Sequence, residues 1–289
     1  MIEERFPGLI AKIREEIENS EKKYEIQNGK SDFTESRLWE HTTHVASLAF
    51  KLARAEKRSP LLPAVAALFH DAGKFADGSY HFENTIEEEE SAETARRILT
   101  GFGMKPEELA KTLAGIKALY NEKSSKNYIA AIVHDADFLS KFGAMGVAAF
   151  FTKAALRGRT MESAMLGHLS KELTYAACLP QNMRTAAGKK LAAQKARETV
   201  KFFRKLLGEL RESGVAGLRI RRLRISDPRS NKRNMEILLA ASKECHKCGN
   251  LWQAAWYTED GVKCTKLNVE WHCADCGGSL ETSFCLPEV

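Results

Sequence analysis

Leu68-Phe69-His70-Asp71-Ala72-Gly73-Lys74 ends an apolar run with a histidine and an aspartate side by side, then stops it with glycine. Just upstream, Ser59-Pro60 opens a helix, because proline suits a first helical turn. Leu61 to Phe69 is apolar nearly all round, which predicts a buried helix. Gly73 reads as its C-cap. Polar chemistry at the end of a buried helix is costly unless something satisfies it. A His-Asp pair alone has little specificity, so the reading turns on which distant residues converge on it.

The first partner comes from Arg37-Leu38-Trp39-Glu40-His41-Thr42-Thr43-His44-Val45-Ala46-Ser47-Leu48, which continues as a helix to about Ala55. His41, Val45, Leu48 and Leu52 follow a helical stripe, placing His41 at its centre and His44 on its edge, roughly 60° away. Polar residues from Ser31 to Ser36 precede this helix, with Asp32 or Thr34 as its expected N-cap. The second partner lies on a helix from about Tyr128 to Phe142, whose inner face carries Ile129, Ile132, Val133, Ala136 and Ser140. Asp137 flanks that face, whereas Asp135 points well away from it. An inward carboxylate needs a cation or several donors, so Asp137 is the better ligand candidate.

His41, His70, Asp71 and Asp137 therefore combine two imidazoles and two carboxylates from three helices. That donor set suits Mn, Fe, Ni, Co or Mg better than zinc. Four protein ligands leave two octahedral positions for water and a substrate oxygen.

Glu40-His41-Thr42-x-x-Val45-Ala46, then Ala67 to Lys74, then Asp135-Ala136-Asp137-Phe138-Leu139 resemble the HD-domain metal-dependent phosphohydrolase superfamily. Twenty-eight residues separate His41 from His70, and 65 separate Asp71 from Asp137, both within the family's usual range. The resemblance spans roughly residues 35–210. It implies an all-helical domain in which His41, His70, Asp71 and Asp137 hold the metal. It also implies cleavage of a phosphate ester in a nucleotide-like substrate, with Asp71 as ligand or proton acceptor. Lys74 would contact a phosphate oxygen or orient the attacking water, although a cation at a helix C-terminus is also favoured by the dipole alone. Arg37, one turn before His41, is placed to clamp substrate. Two-metal members of the family carry extra histidines between the His-Asp pair and the last aspartate. Here that interval holds only His81, a further ligand or phosphate contact, and His134, which points away from the Asp137 face. A single metal follows. Glu87 to Glu90 read as helix-start electrostatics.

The C-terminal region differs in texture. Cys245-His246-Lys247-Cys248 and Cys273-Ala274-Asp275-Cys276 are two Cys-x2-Cys pairs 24 residues apart, each followed by glycine. With strand-like segments from Trp252 to Thr258 and from Lys266 to Trp271, they resemble a zinc ribbon. Four thiolates make a closed structural zinc site, and so small a segment needs the metal to fold.

The chain has 289 residues, 44% apolar and 28% charged, as expected of a globular protein of about two domains. No stretch approaches the length of a membrane span, and Met1-Ile2-Glu3-Glu4-Arg5 lacks the features of a secretory signal, so a cytoplasmic location is expected. Net charge is +6, but Arg184 to Arg233 alone carries 16 lysines and arginines against four acids. Such a segment attracts phosphate-bearing partners, or simply solvates helix faces. Helical patterns cover about Phe6–Asn19, Pro106–Tyr120, Ala144–Leu156, Met161–Ala177 and Gly188–Leu210. Leu218 to Ile225 reads as an arginine-faced strand, and Asn234 to Ser242 as a short helix.

The expected architecture is mainly α: a helical HD-type phosphohydrolase domain over residues 1–212, a basic strand and linker over 213–240, and a small β zinc ribbon over 241–289. The expected activity is hydrolysis of a nucleotide-like phosphate ester. A nuclease or nucleic-acid binder using the basic segment and ribbon is the second reading. A regulatory module that kept its ligands without turnover is a third.

Overall fold

The structure is a computed structural model that describes residues 1–29, 36–75, 86–120, 126–156, 158–214, 218–226, 234–242, 252–260 and 265–285. The described residues are mainly helical, and the chain forms two compact units. Met1–Ser140 and Met183–Gly188 make the first; Lys141–Asn182 and Lys189–Val289 make the second. Among the described residues no helix is long and apolar enough to cross a membrane.

The first unit contains α1 (Ile2–Arg5), α2 (Leu9–Gln27), α3 (Arg37–Ala55), α4 (Leu61–Phe69), α5 (Glu87–Gly101), α6 (Pro106–Lys117) and α7 (Tyr128–Ser140). All nine residues of α4 are buried, as its apolar sequence requires, and it packs against α3, α6 and α7. Each large apolar side chain removed from water there contributes roughly 1.5–3 kcal/mol. This central helix delivers His70 and Asp71 to the interior.

The helix α2 runs two turns beyond the expected end near Asn19. Its buried stripe continues from Leu9, Ile13 and Ile17 into Glu21 and Glu25, so the apolar pattern stops while the helix does not. The start of α3 supplies donors to both carboxylates. Glu21 Oε2 accepts from Ser36 Oγ at 2.5 Å and from the Leu38 amide at 3.2 Å, and Glu25 Oε1 accepts from Arg37 Nη2 at 2.5 Å. Ser36 is the N-cap of α3, its Oγ accepting from the Trp39 amide at 2.9 Å. Asp32 and Thr34, the expected caps, lie outside the described residues.

The second unit contains α8 (Gly143–Leu156), α9 (Met161–Asn182), α10 (Ala186–Glu212) from Lys189 onward, and five strands. β1 (Leu218–Ser226) and β2 (Asn234–Ser242) form an antiparallel ribbon, in register from Leu218 opposite Ser242 to Ser226 opposite Asn234. The expected short helix over 234–242 is therefore a strand. An isolated arginine strand cannot satisfy its own backbone, and this segment supplies the partner. Packing on α9 fixes the choice: Leu238 joins Val147, Leu169, Leu173, Phe203 and Leu207 in one buried cluster, with Ile220 of β1 packed against it. β3 (Trp252–Asp260), β4 (Thr265–Cys273) and β5 (Ser279–Cys285) form a separate antiparallel sheet in that order.

Candidate metal centre

Three helices bring His41, His70, Asp71 and Asp137 together. One ligand atom each from His41, His70 and Asp71 lies within 4.8 Å of the others. His41 Nε2 stands 3.3 Å from His70 Nε2, 3.7 Å from Asp71 Oδ2 and 3.2 Å from Asp137 Oδ1. His70 Nε2 is 3.5 Å from Asp71 Oδ1 and 4.0 Å from Asp137 Oδ1. His70, Asp71 and Asp137 are buried, while the His41 side chain is 28% exposed. His41 thus sits at the edge of the α3 stripe and not at its centre, and forms the open side of the cluster.

The donor set fits a divalent cation on the structure's own terms. His70 Nδ1 lies 2.8 Å from the Ala67 carbonyl, which can only accept, so Nδ1 carries the proton. In the neutral ring Nε2 is then a bare lone pair, aimed at a second imidazole and two carboxylates. Neutral is the state its surroundings favour: burial pushes the His70 imidazole below its ordinary range, against the opposing pull of Asp71 and Asp137. That lone pair and the two carboxylates form a donor set a divalent cation can bind, and a hydrogen-bonded Nδ1 is how ligating histidines are oriented.

The turn carrying His70 to Lys74 is held by α5. Ser91 Oγ accepts from the Gly73 amide at 2.9 Å and donates to the His70 carbonyl at 3.1 Å. Gly73 is needed for this approach, since a Cβ would fall 2.5 Å from the Glu87 carbonyl oxygen and 2.7 Å from the Ser91 nitrogen. The expected C-cap role is not what it performs. Helix α4 ends at His70 in right-handed conformation, and Gly73 is not among the positive-φ glycines.

Each carboxylate has one oxygen tied to a protein donor. Lys74 Nζ donates to Asp71 Oδ2 at 2.8 Å, and the Tyr120 hydroxyl donates to Asp137 Oδ2 at 3.0 Å. Burial alone would raise Asp71, but the adjacent His70 ring and the Lys74 ammonium outweigh it and hold the carboxyl below the usual range. Burial tends to lower Lys74, and the Asp71 charge overrides it to keep the ammonium strongly protonated. Tyr120 is 37% exposed as a residue, yet desolvation of its hydroxyl against the cluster and the Asp137 charge raise the phenol above its ordinary value. Glu87, the first residue of α5, belongs to this setting as well. Its burial and the nearby Asp71 charge push it up to about 7, against the pull of Lys74.

Neither Tyr120 nor Glu87 stood out in the sequence. Tyr120 closes an ordinary helical segment, and Glu87 opens a four-glutamate run that dipole electrostatics already explains. Asp135 points away from the cluster as expected, yet it is fully buried. Its Oδ1 accepts from the Arg184 amide at 2.9 Å, and its Oδ2 from the Thr185 amide at 2.8 Å and Thr185 Oγ1 at 2.7 Å. It therefore anchors the entry to α10. His134 is likewise buried, with Nδ1 3.0 Å from Asp135 Oδ1.

Arg37 is placed in the first turn of α3, paired with Glu25 and 3.9 Å from Glu21. His81, Cys245 and Cys248 lie outside the described residues. Cys273 ends β4 and is buried, and Cys276 is exposed in the following turn. That turn closes with the Gly277 amide donating to the Cys273 carbonyl at 3.1 Å and the Cys273 amide donating to the Gly278 carbonyl at 2.9 Å. Gly277 takes a φ of +66°, which glycine adopts without penalty.

The family model described as HD domain matches residues 38–137, an interval that contains all four cluster residues. Among solved structures, Bacillus subtilis YpgQ in complex with ADP is similar at 21% identity and TM-score 0.50, covering 71% of this chain and 96% of its own. A predicted HD superfamily hydrolase from an uncultured Thermotogales bacterium matches at 21% identity and TM-score 0.49, covering 71% of this chain and 95% of its own. An HD-superfamily hydrolase from Bacillus thuringiensis matches at 20% identity and TM-score 0.49, covering 70% and 97%. No curated protein matches the chain. The helical region thus has the HD-domain fold, shared with YpgQ.

Proposed function

We propose that this protein is a metal-dependent phosphohydrolase acting on a phosphate ester of a nucleotide-like substrate. The observation that carries the reading is the convergence of His41, His70, Asp71 and Asp137 from three helices, with His70 Nε2 left as a bare acceptor. In this reading those four residues hold one divalent cation of the Mn, Fe, Ni, Co or Mg type. Such an ion supplies Lewis acidity, lowering the pKa of water and offsetting phosphoryl charge.

The chain's own groups divide the remaining work. Asp71 Oδ1 faces the cluster while its Oδ2 holds Lys74, so Asp71 can accept a proton without leaving its position. Lys74, 25% exposed at its side chain and charged, is held against Asp71 and in this reading binds a phosphate oxygen. His41 borders that open side, and burial of His70, Asp71 and Asp137 excludes bulk water behind the reacting atoms. YpgQ, of the same fold, was crystallised with ADP, so nucleoside diphosphates head the list of substrates to try.

The same reading gives Cys245, Cys248, Cys273 and Cys276 a structural zinc. It is supported by the spacing of the two pairs and by the tight turn between Cys273 and Gly278.

The test combines metal analysis of the purified protein with hydrolysis of nucleotides, phosphodiesters and oligonucleotides. Asp71→Ala should lose the catalytic metal and the activity while zinc stays bound. Full activity in that variant would overturn the mechanism.

A further inference from the structure

We infer that α10 presents a stripe that binds the phosphate backbone of a nucleic acid without reading its sequence. The helix buries one face, where Ala192, Ala196, Thr199, Phe203 and Leu207 are closed off. On the opposite face, at 3.6 residues per turn, Lys190, Arg197, Lys201, Arg204, Lys205 and Arg211 fall within about 60° of one line. All six are exposed. Glu212 is the acid on the stripe itself; Glu198 and Glu209 flank it.

Other exposed helices in this protein mix their charges. Lys12 pairs with Glu15, Arg14 with Glu18, Arg96 with Glu93 and Lys111 with Glu107, each within one helix. On the α10 stripe, residues one turn apart repeat the same sign: Arg197 with Lys201, and Lys201 with Arg204 and Lys205. Like charges at that spacing weaken a helix. Lys205 reaches Glu209 at 3.7 Å, whereas among the described residues Arg197, Lys201 and Arg204 form no ion pair. A cationic row left uncompensated along one face attracts a polyanion.

Length and neighbours narrow the partner. From Lys190 to Arg211 the helix extends about 32 Å at 1.5 Å per residue, close to the roughly 34–36 Å of one duplex turn. Arg219 and Arg222 of β1 are exposed in the same unit, and Ile220 between them packs on the core that holds Phe203 and Leu207. An anionic membrane surface is a poorer fit, because a surface helix needs a free apolar face to insert, and on α10 Phe202 is exposed by itself while Ala192, Ala196, Phe203 and Leu207 are spent on the core. A protein partner is also disfavoured, since such interfaces centre on apolar and aromatic anchors and not on a row of like charges.

The stripe lies in the second unit and the inference does not depend on the metal centre. The test uses the full chain in EDTA, with anisotropy of a fluorescent duplex of about 20 base pairs measured across a salt series. Six phosphate contacts predict a log–log slope of about −5. R197Q/K201Q/R204Q should lose more than about tenfold in affinity and flatten the slope by about 3. Its melting temperature should hold or rise, because glutamine keeps helix propensity and the repulsion is relieved. K22Q/K23Q, at exposed positions of α2, should bind like the parent. The proposal is overturned by absence of duplex binding at low salt, by parent-like binding of the triple variant, or by equal loss in K22Q/K23Q. Binding phosphatidylserine vesicles as tightly as the duplex would also overturn it.

Discussion

The Tyr120 hydroxyl donates to Asp137 Oδ2 at 3.0 Å, which leaves Asp137 Oδ1 facing His41 Nε2 at 3.2 Å. Lys74 does the same for Asp71, occupying Oδ2 while Oδ1 faces His70. Each acid is thus oriented by a donor on one oxygen; Asp137 presents the other, while Asp71 turns Oδ1 toward His70 and keeps Oδ2 3.7 Å from His41 Nε2. Tyr120→Phe should keep the fold and weaken divalent-metal affinity by roughly tenfold to a hundredfold, the usual cost of losing a group that orients a ligand. Calorimetric titration of the metal-free protein reads the change, and unaltered affinity would remove Tyr120 from the site.

The two aspartates of α7 should separate cleanly. Asp135→Ala removes the acceptor for two amides and a hydroxyl at the entry to α10, and should destabilise by about 3 kcal/mol or more. Asp137→Ala should abolish binding of the catalytic metal with far less loss of stability, because it relieves a crowded acidic cluster. Urea melts paired with metal content distinguish the two. Equal destabilisation would contradict these assignments.

Gly73→Ala tests the contact between the His70–Lys74 turn and α5. The added Cβ meets backbone of Glu87 and Ser91, which no side-chain rotation relieves. A loss of about 1–3 kcal/mol is expected from overpacking, together with weaker metal retention as the turn shifts. A variant with parent stability would show that α5 can move away freely.

The stability of the metal-free protein should depend on pH in a defined direction. The Glu87 carboxyl is raised in the folded protein to about 7, so its contribution is complete below the unfolded value near 4.5 and is lost as pH climbs through 7. Roughly 3 kcal/mol is at stake. Asp71 is depressed, so its contribution is present above the unfolded value near 4 and is lost as pH falls below it. Melting temperatures in EDTA should therefore peak near pH 5 and decline toward 7, and Glu87→Gln should flatten that decline. Adding a divalent cation should also reverse it, since the cation favours ionised carboxylates.

Much of the helical architecture was legible along the chain. The stripe of Val45, Leu48 and Leu52 and the all-apolar Leu61–Phe69 predict α3 and α4 because burial imposes a period on side-chain type. Legibility failed where burial is polar. Glu21 and Glu25 break the apolar period of α2, yet they lie buried because Ser36, Leu38 and Arg37 come from another helix to donate to them. It failed again at Asn234–Ser242, where the segment's own pattern is ambiguous and β1 and α9 impose the extended form.

The candidate ligands were legible in the sequence only in combination, through three ordered motifs that resemble the HD-domain superfamily; a single inward imidazole or carboxylate says little, as buried His134 and Asp135 show. That His41 comes within 3.2–3.7 Å of Asp137, His70 and Asp71, and His70 within 4.0 Å of Asp137, was decided by tertiary packing of α3, α4 and α7. So was the surrounding layer of Tyr120, Glu87, Ser91 and Asp135. These contacts link residues distant in sequence through single hydrogen bonds, which leave no local period in the sequence. Only the packed helices fix which donor reaches which oxygen.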